Sequence, residues 1–366
     1  MRILLIALIA REGNPIFTLE MANALMRQGH DVYAVIPKEE INLDNWLKDL
    51  GEERLCLLDI GGEGSINKAK DLCRYLLNHR KQLKNIEGID FDYAIYTMHH
   101  RWNQPVRFFV HAQKSLIIIH DPVAHSGVKK WREWIAHRQF RTMDGAIVLT
   151  RKFIPDVMRI HQIPEEKIYY MPHFITYHSK QKAQMRCEFD DNLGVNFLFF
   201  GRIEKYKGIG VLLEAFLKLA EMNHDAKLTI AGRGEMQEYQ SLIDSSDRIT
   251  ADIRYIPEDD VDDYYLEPNT VLVLPYLDAT QSGVLSIAYT HGNPVIASDT
   301  GGLREQLGDG EEGILVPPGD ADELAKAMRM LCDDRDRLRE QSWRMLLKAK
   351  EFSSDHAVKI LMDQLV

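Results

Sequence analysis

The stretch from Asn196 to Gly208, NFLFFGRIEKYKG, constrains the fold more than any other part of the chain. Its apolar run, Phe197 to Phe200, predicts a buried strand, and Gly201 ends that run where a tight turn would begin. After Gly208 the apolar side chains return at helical spacing. A strand, a turn and a helix in this order predict an α/β domain that binds ligands at the carboxyl ends of its strands.

The turn after Gly201 carries the cations Arg202, Lys205 and Lys207. The following helix adds amide donors and the positive end of its dipole to the same place. A phosphate-bearing ligand therefore fits this turn. A surface loop with solvated cations explains the stretch equally well when it is taken alone.

The length and composition of the chain are typical of a globular enzyme with two domains. Its 366 residues leave room for two cores, and 45% of them are hydrophobic and 27% charged. The apolar start, Met1 to Ile9, is too short to span a bilayer and shows no signal-peptide cleavage pattern, which predicts a cytoplasmic protein. The cysteines are scattered without a CxxC pair, so neither a zinc site nor a disulfide framework is predicted.

The balance of charge changes along the chain. The net charge is −10, but residues 1–190 hold 27 Lys and Arg against 23 Asp and Glu, whereas the remainder holds 18 against 32. This difference and the polar stretch 179–184 predict a domain over 1–178, a linker over 179–190 and a second domain over 191–348.

The first residues predict the βαβ beginning of a doubly wound domain. Apolar spacing predicts strands at 2–10 and 32–36, with a helix at 16–28 between them. In the first loop, Gly13 allows the backbone to approach a ligand closely. The loop contains no GxGxxG, which disfavours a nicotinamide oxidoreductase.

Histidines follow the predicted strands at 94–97 and 115–119, where a ligand crevice would open; they are His99, His100, His120 and His125. His120, next to Asp121, is placed to orient a reacting hydroxyl or to stabilise charge in a transition state. A single histidine is more often structural, but the clustering favours a function for His120. The spacing of these histidines matches no metal-ligand motif, so no metal site is predicted.

The segment 128–143, VKKWREWIAHRQFRTM, combines cations with aromatic residues and has two interpretations. As a helix it would place Trp131, Trp134 and Arg138 near one face, which suits an anionic membrane surface. Alternatively, the aromatic residues pack inward and the cations are solvated, which we favour.

The second half continues with strand and helix units. Strands are predicted at 227–231, 253–256 and 271–275. The first of these leads into a glycine turn, Gly232 to Gly234, where a ligand can approach the backbone. The last leads into a small polar loop at a helix start, which suits a diphosphate or a sugar and contains Asp278, Thr280, Gln281, Ser282 and Gly283. Asp260 and Asp262 also fall at a helix start, where carboxylates are favoured without a metal.

Five motifs occur in this order in the second half: GRIEKYKG, IAGRGE, LPYLDATQSGV, HGNPVIASDTGG and GILVPPGDADELAKAM. Together they resemble the C-terminal domain of the family 4 retaining GT-B glycosyltransferases. The first half, with its glycine turn and IHDPVAHSG, resembles that family too. The resemblance implies an α/β fold of two Rossmann-like doubly wound domains facing each other across a cleft, with the nucleotide-sugar on the second domain and the acceptor on the first. It also implies that a helix within 349–366 crosses back to the first domain. The ATQSG motif, residues 279–283, is similar to that of a subgroup that acts in polysaccharide biosynthesis.

The resemblance assigns roles to particular residues. Arg202 and Lys207 match the pair that neutralises the donor diphosphate, which makes a metal ion dispensable, and His120 matches a histidine beside the transferred sugar. These three are the implied catalytic residues. The implied donor-binding residues are Gly13, Asn14, Gly201, Arg202, Lys207, Gly232, Gly234, Asp278, Thr280, Gln281, Ser282 and Gly283.

The chain departs from the family at two positions. Most members carry two glutamates, eight residues apart, where this sequence has Ala279 and Ile287. Asp278, Thr280 or Gln281 is placed to take the first role, toward the sugar, but no residue obviously takes the second, toward the ribose.

The expected function is transfer of a hexose, with retention, from a UDP- or GDP-sugar to a hydroxyl of a glycan or lipid-linked acceptor in cell-surface polysaccharide biosynthesis. We expect no cofactor beyond this donor and no nucleic-acid partner. A nucleotide-sugar epimerase of the same fold is the enzymatic alternative. A non-catalytic nucleotide-binding scaffold is the other, and the missing glutamates support it.

Overall fold

The computed structural model describes residues 1–10, 14–60, 75, 77–122, 136–176, 187–222 and 225–366. The chain forms two compact units, each with its own parallel sheet. Unit 1 comprises Met1–Thr176 and Ser354–Val366, and unit 2 comprises Tyr177–Ser353.

Unit 1 is built on a seven-stranded parallel sheet. Its strands are β1 (Arg2–Ile6), β2 (Asp31–Pro37), β3 (Leu55–Leu58), β4 (Asp90–Tyr96), β5 (His111–Ile119), β6 (Gly145–Val148) and β7 (Ile168–Tyr170). They lie in the order β3-β2-β1-β4-β5-β6-β7. Its first helices are α1 (Asn14–Arg27), α2 (Leu43–Leu50), α3 (Asn103–Arg107) and α4 (Ile154–His161), and residues 77–82 and 136–140 are also helical.

Strand β1 shows why this sheet is buried on both faces. Ile3 and Leu5 join one apolar cluster, which includes Leu25 of α1, whereas Leu4 and Ile6 join a second cluster on the other face. Successive side chains of a strand point to opposite faces, so a continuous apolar run needs cover on both sides. The run in β1 is satisfied in this way.

Unit 2 has a six-stranded parallel sheet. Its strands are β8 (Val195–Phe200), β9 (Ala226–Ala231), β10 (Ile249–Asp252), β11 (Thr270–Leu274), β12 (Val295–Ser298) and β13 (Ile314–Val316), in the order β10-β9-β8-β11-β12-β13. Its helices are α5 (Ile209–Glu221), α6 (Gln240–Ile243), α7 (Glu258–Tyr265), α8 (Leu285–His291), α9 (Leu303–Gln306), α10 (Ala321–Asp333) and α11 (Arg335–Lys348).

The last helix, α12 (Ser354–Leu365), belongs to unit 1 although it follows unit 2 in the chain. Its buried side chains, among them Val358 and Leu361, join the apolar cluster that contains α1. The Arg27 guanidinium donates to Asp355 at 2.8 Å, and Gln28 Nε2 donates to the backbone oxygen of Asp355 at 2.8 Å. Polar contacts therefore fix the start of α12 beside the end of α1.

The predicted fold class, α/β with two Rossmann-like doubly wound domains, is confirmed by the strand orders. In each sheet the order reverses beside the first strand, between β1 and β4 in unit 1 and between β8 and β11 in unit 2. Ligands of doubly wound sheets bind at the carboxyl ends of the strands near such a reversal.

Two predicted strand boundaries are wrong. The strand placed at 253–256 is β10, and its pairing with β9 ends at Asp252. The apolar side chains that suggested the later position are exposed, Ile253 by 38% and Tyr255 by 70%. The strand predicted to reach Ala10 ends at Ile6.

No helix in the described part of the chain combines the length and the apolar character that crossing a bilayer requires.

Candidate functional site

The turn after β8 brings a lysine back over the end of its own strand. Gly201 has φ 116°, and its amide donates to the Ala231 carbonyl at 2.9 Å. A Cβ added to Gly201 would lie 3.4 Å from Nζ of Lys207, an ordinary van der Waals contact, so the positive φ favours glycine here and crowding does not. Lys207 Nζ lies 5.2 Å from the centroid of the Tyr276 ring. Tyr276 follows the carboxyl end of β11, the strand that pairs with β8 where the strand order reverses.

Lys207 and Arg202 form a positively charged pair at this strand end. Burial is the main cause that lowers the pKa of Lys207, and the nearby charge of Arg202 lowers it further. The Arg202 side chain is exposed, so its cost of desolvation is small. An anion bound here would relieve the repulsion and compensate Lys207 for its lost water.

The glycine turn after β9 packs against the turn after β8. A Cβ on Gly232, at φ 146°, would lie 1.9 Å from the carbonyl oxygen of Gly201. A Cβ on Gly234, at φ 157°, would lie 2.5 Å from the carbonyl oxygen of Ile203, whose amide donates to the Arg233 carbonyl at 2.8 Å. Both glycines therefore permit the close approach of two loops. Contact of Gly232 and Gly234 with a nucleotide stays a prediction.

The loop after β11 divides into residues that point inward and residues that lie at the surface. Ser282 is 5% exposed, its amide donates to Oε1 of Gln306 at 2.9 Å, and its hydroxyl lies 3.2 Å from that of Tyr276. Gly283 and Asp278 are exposed and Gln281 is half-buried. The backbone amide of Ser282 already donates to Gln306, so a bound donor would have to compete with Gln306 for this hydrogen.

A second glycine turn fixes the start of the same loop. A Cβ on Gly301, at φ 53°, would lie 1.4 Å from the carbonyl oxygen of Ala279, and the Gly302 amide donates to the Thr280 carbonyl at 2.9 Å. Ala279 and Ile287, the two positions at which the sequence departs from the family that it resembles, are 3% and 7% exposed. These positions are occupied by buried apolar side chains.

In unit 1, His120 directly follows β5 and is held in one tautomer. Its Nε2 lies 2.9 Å from the carbonyl oxygen of Thr97. A carbonyl only accepts, so in the neutral ring Nε2 carries the hydrogen and Nδ1 is an acceptor. Burial lowers the pKa of His120, and the edge of the Phe17 ring packs against it at a centroid distance of 5.4 Å. His120 is thus neutral near pH 7.

Asn14 begins α1 beside the end of β1, and its side chain has a donor without a partner among the described residues. The side chain is 6% exposed, and its Nδ2 has no hydrogen-bond partner among the described residues. Thr18 donates to the Asn14 carbonyl at 2.9 Å, and the Thr97 hydroxyl lies 3.5 Å from Asn14 Oδ1. Buried donors in folded proteins are normally paired, so this amide suits a ligand or a water. Gly13 lies outside the described residues.

The other predicted histidines have structural surroundings or cannot be placed. The amide and the carbonyl of His100 are both bonded to the side chain of Gln139, at 3.2 and 3.0 Å. Burial lowers the pKa of His99, and it lowers that of His100 to about 4. His125 lies outside the described residues. Within the described ranges, no group of His, Cys, Asp and Glu side chains is arranged to hold a metal ion.

The basic and aromatic segment 128–143 is described only from residue 136. Trp131 and Trp134, on which the membrane interpretation depends, lie outside the described residues. Phe140 is 4% exposed and joins an apolar cluster of unit 1. This aromatic side chain therefore packs inward.

Sequence reasoning missed two residues beside the site. Gln306 binds Ser282, and its one signal is a polar side chain between Leu303 and Leu307, which are both buried. His173 lies 5.7 Å from Phe17 in ring centroids, and burial, with a smaller effect of His120, lowers its pKa to about 4. It follows β7, a short strand that the apolar pattern did not reveal.

Comparison with known proteins finds a family match within unit 2. Residues 194–334, which hold the cationic turn and both loops described above, match the model of the family Glycosyl transferases group 1. Unit 2 is thus similar to this family over that segment. Curated relatives match this chain in part, and two of them serve as examples. The alpha-D-kanosaminyltransferase of Streptomyces kanamyceticus is 25% identical over 61% of this chain and 58% of that protein. A phosphatidyl-myo-inositol mannosyltransferase of Mycobacterium leprae is 36% identical over 37% of each chain. The chain thus spans about half the length, or less, of these curated relatives.

Solved structures match the fold of the whole chain. A sucrose-phosphate synthase from Thermosynechococcus elongatus matches with a TM-score of 0.72 and 19% identity, over 100% of this chain and 98% of that one. Anabaena HepE, in complex with UDP and glucose, matches with a TM-score of 0.70 and 14% identity, over 99% and 98% of the two chains. The chain has the GT-B fold.

Proposed function

We propose that this chain is a retaining glycosyltransferase that moves a hexose from a UDP- or GDP-sugar to a hydroxyl of a glycan or lipid-linked acceptor. The observation that carries the proposal is the pair Arg202 and Lys207 at the carboxyl end of β8, beside the reversal of the strand order in unit 2. HepE supports a nucleotide-sugar donor, since its structure holds UDP and glucose. We place the reaction in cell-surface polysaccharide biosynthesis because the ATQSG loop is similar to that subgroup.

In this proposal Arg202 and Lys207 stabilise the leaving group. When the bond between the sugar and the diphosphate breaks, negative charge grows on the departing phosphate oxygens. Fixed cations that meet this charge in a site shielded from water lower the barrier of the reaction. Because Lys207 is already partly desolvated, the further free-energy cost of removing its water when the diphosphate binds is small. Two cations supply the charge that a divalent ion would supply, and we propose that the enzyme is metal-independent.

His120 is proposed to act on the sugar as a neutral imidazole. With Nε2 bonded to the Thr97 carbonyl, its Nδ1 is the acceptor for a sugar hydroxyl. The lowered pKa keeps this nitrogen unprotonated through the neutral range. For retention, we propose that the acceptor attacks from the face that the diphosphate leaves, with a departing phosphate oxygen taking the proton of the acceptor hydroxyl.

The experiment that tests the proposal is a turnover assay with UDP- and GDP-hexoses in EDTA, with and without a panel of oligosaccharide and lipid-linked acceptors. We expect release of the nucleoside diphosphate that depends on an acceptor, and a glycoside whose anomeric configuration, read by NMR, equals that of the donor. Interconversion of the free nucleotide-sugar without an acceptor would show an epimerase. Tight nucleotide binding without loss of sugar would show a scaffold. Either result contradicts the proposal.

Peripheral membrane contact through 128–143 is a separate proposal. It rests on the cations and tryptophans of that segment, and it would bring a lipid-linked acceptor to the enzyme. Vesicles of anionic lipid should sediment the protein at low salt and release it at high salt. Absence of pelleting at low salt would remove this idea without affecting sugar transfer.

A further inference from the structure

The buried amide of Gln306 grips both backbone groups of one residue in the loop after β11. Its Oε1 accepts from the Ser282 amide at 2.9 Å, and its Nε2 lies 3.4 Å from the Ser282 carbonyl oxygen. Gln306 is 8% exposed and Ser282 is 5% exposed, so neither bond competes strongly with water. The side chain thus takes the place of a neighbouring strand for this part of the loop.

Gln306 is itself held from behind. The Tyr289 hydroxyl donates to the backbone carbonyl of Gln306 at 2.7 Å, and the backbone amide of Gln306 donates to the Gly302 carbonyl at 2.9 Å. Tyr289 is 3% exposed and belongs to α8, the helix that the loop enters. Two hydrogen bonds therefore fix the backbone of Gln306, whose side-chain amide binds Ser282.

The same loop is connected to the cationic turn. The hydroxyl of Ser282 lies 3.2 Å from that of Tyr276, and the face of the Tyr276 ring carries Nζ of Lys207 at 5.2 Å. Burial raises the pKa of Tyr276 to about 12, so the ring remains a neutral phenol beside the amine. A continuous set of contacts runs from Gln306 through Ser282 and Tyr276 to Lys207.

The structure assigns to Gln306 the role of a positioning residue for donor binding: it orients the loop from Gln281 to Gly283, and through Tyr276 the amine of Lys207, toward the nucleoside diphosphate. This inference rests on the proposed function. It also changes the role of Ser282, which becomes the residue through which Gln306 acts instead of a direct ligand of the diphosphate.

The direct test compares Gln306→Met with Gln341→Met by calorimetric titration of UDP and GDP. Methionine keeps the volume of glutamine and removes both hydrogen bonds. Gln341 is a matched control, since it is 7% exposed in the same unit and lies on α11. We expect Gln306→Met to weaken binding of the nucleotide about tenfold, in keeping with two lost hydrogen bonds. The control should stay within about twofold of the unaltered chain.

A second variant, Gln306→Glu, distinguishes positioning from a general loss of structure. A protonated glutamic acid accepts from the Ser282 amide and donates to the Ser282 carbonyl, as glutamine does, whereas a carboxylate only accepts. Relative to the unaltered chain at the same pH, this variant should bind weakly at pH 8 and recover at least about fivefold at pH 5.5, since burial favours the protonated acid.

The possible results separate the inference from the function beneath it. If the unaltered chain binds neither nucleotide, the proposed function fails. If it binds one and Gln306→Met binds equally well, the positioning role is overturned, even when Gln306→Glu is weak at pH 8, because a misplaced charge then explains that variant. Loss in Gln306→Glu without recovery at pH 5.5 also overturns it. If Gln306→Met does not fold, the recovery in Gln306→Glu decides.

Discussion

The two units share the strand order around their first strand and place different side chains at the carboxyl ends of their strands. In unit 2 the loop after the first strand carries Arg202 and Lys207. In unit 1 the corresponding loop leads to Asn14, and the carboxyl end of β5 supplies His120, whose lowered pKa keeps it neutral. The doubly wound topology therefore fixes where a ligand binds, while the loops decide its charge. The cationic turn of unit 2 suits a diphosphate, and the neutral imidazole of His120 in unit 1 suits a hydroxyl.

The largest expected effect concerns how the edge of unit 2 is assembled. Gly232→Ala places a Cβ against the backbone of Gly201, and we expect unit 2 to lose about 3 kcal/mol of unfolding free energy or more, together with nucleotide binding. Gly29→Ala in unit 1 is the matched control, because Gly29 has φ 83° but no atom within 4 Å of an added Cβ. It should cost about 1–2 kcal/mol, for the left-handed conformation alone. Urea unfolding measures both, and equal losses would contradict the clash.

The next largest effect concerns the cations of unit 2, Arg202 and Lys207, compared with His120 of unit 1. Arg202→Gln and Lys207→Met should each weaken binding of the nucleoside diphosphate by about 1.5–3 kcal/mol, the range for charge-assisted hydrogen bonds. His120→Asn should leave the affinity for the nucleotide nearly unchanged and reduce turnover of the nucleotide-sugar. Calorimetry and the turnover assay read these outcomes. If His120→Asn weakens binding of the nucleotide as much as the cation variants do, the division of roles is wrong.

A pH dependence is expected from unit 1 because burial lowers the pKa of several of its histidines. His173 has a pKa of about 4 in the folded chain and about 6.5 when unfolded, so at acidic pH the unfolded state binds the extra proton. Stability is therefore fully present above pH 6.5 and falls as the pH drops toward 4. The slope for one histidine is about 1.4 kcal/mol per pH unit, and we expect His173 to contribute about 1–2 kcal/mol of the loss by pH 5.

Hydrogen exchange of peptides from β4 and β5 measures this stability at each pH. His173→Gln should remove the part of the profile that comes from His173 and leave the part that comes from His99, His100 and His120. His111→Gln, which changes an exposed histidine at the start of β5, should preserve the profile. A profile unaltered by His173→Gln would show that this residue is not the source.

The smallest effect comes from the third cation of the turn in unit 2. The Lys205 side chain is 86% exposed and pairs with Glu238 at 3.6 Å. Exposed pairs contribute little, so Lys205→Ala should change both stability and affinity for the nucleotide by less than about 0.5 kcal/mol. Calorimetry on this variant serves as the control for Lys207→Met. A large loss would mean that the turn acts through its total charge and not through two placed cations.

The sequence predicted the parts of this fold that local patterns encode. The apolar run in β8, the glycine after it and the helical spacing of α5 predict a strand, a turn and a helix without any knowledge of distant residues. The strand at β10 was misplaced because Ile253 and Tyr255 are apolar side chains that the chain leaves at its surface. Periodicity does not distinguish a buried apolar residue from an exposed one.

The contacts that join distant segments could not be predicted in this way. Gln306 lies 24 positions from Ser282, and His173 follows a three-residue strand. Sequence spacing carries no signal for such pairs, since only the folded sheet brings these loops to one edge. The pairing of the Ser282 amide was likewise invisible, although the loop itself was recognised from its composition.

The central claim is that the cationic edge of unit 2 binds a nucleoside diphosphate through its phosphates. The most direct measurement is calorimetric titration of the unaltered chain, in EDTA, with UDP, GDP and ADP, each compared with its own nucleoside. We predict that one diphosphate binds and that its nucleoside binds at least about a hundredfold more weakly, as the loss of two charge-assisted contacts requires. A nucleoside that binds as tightly as its diphosphate, or a chain that binds none of the three, would contradict the account.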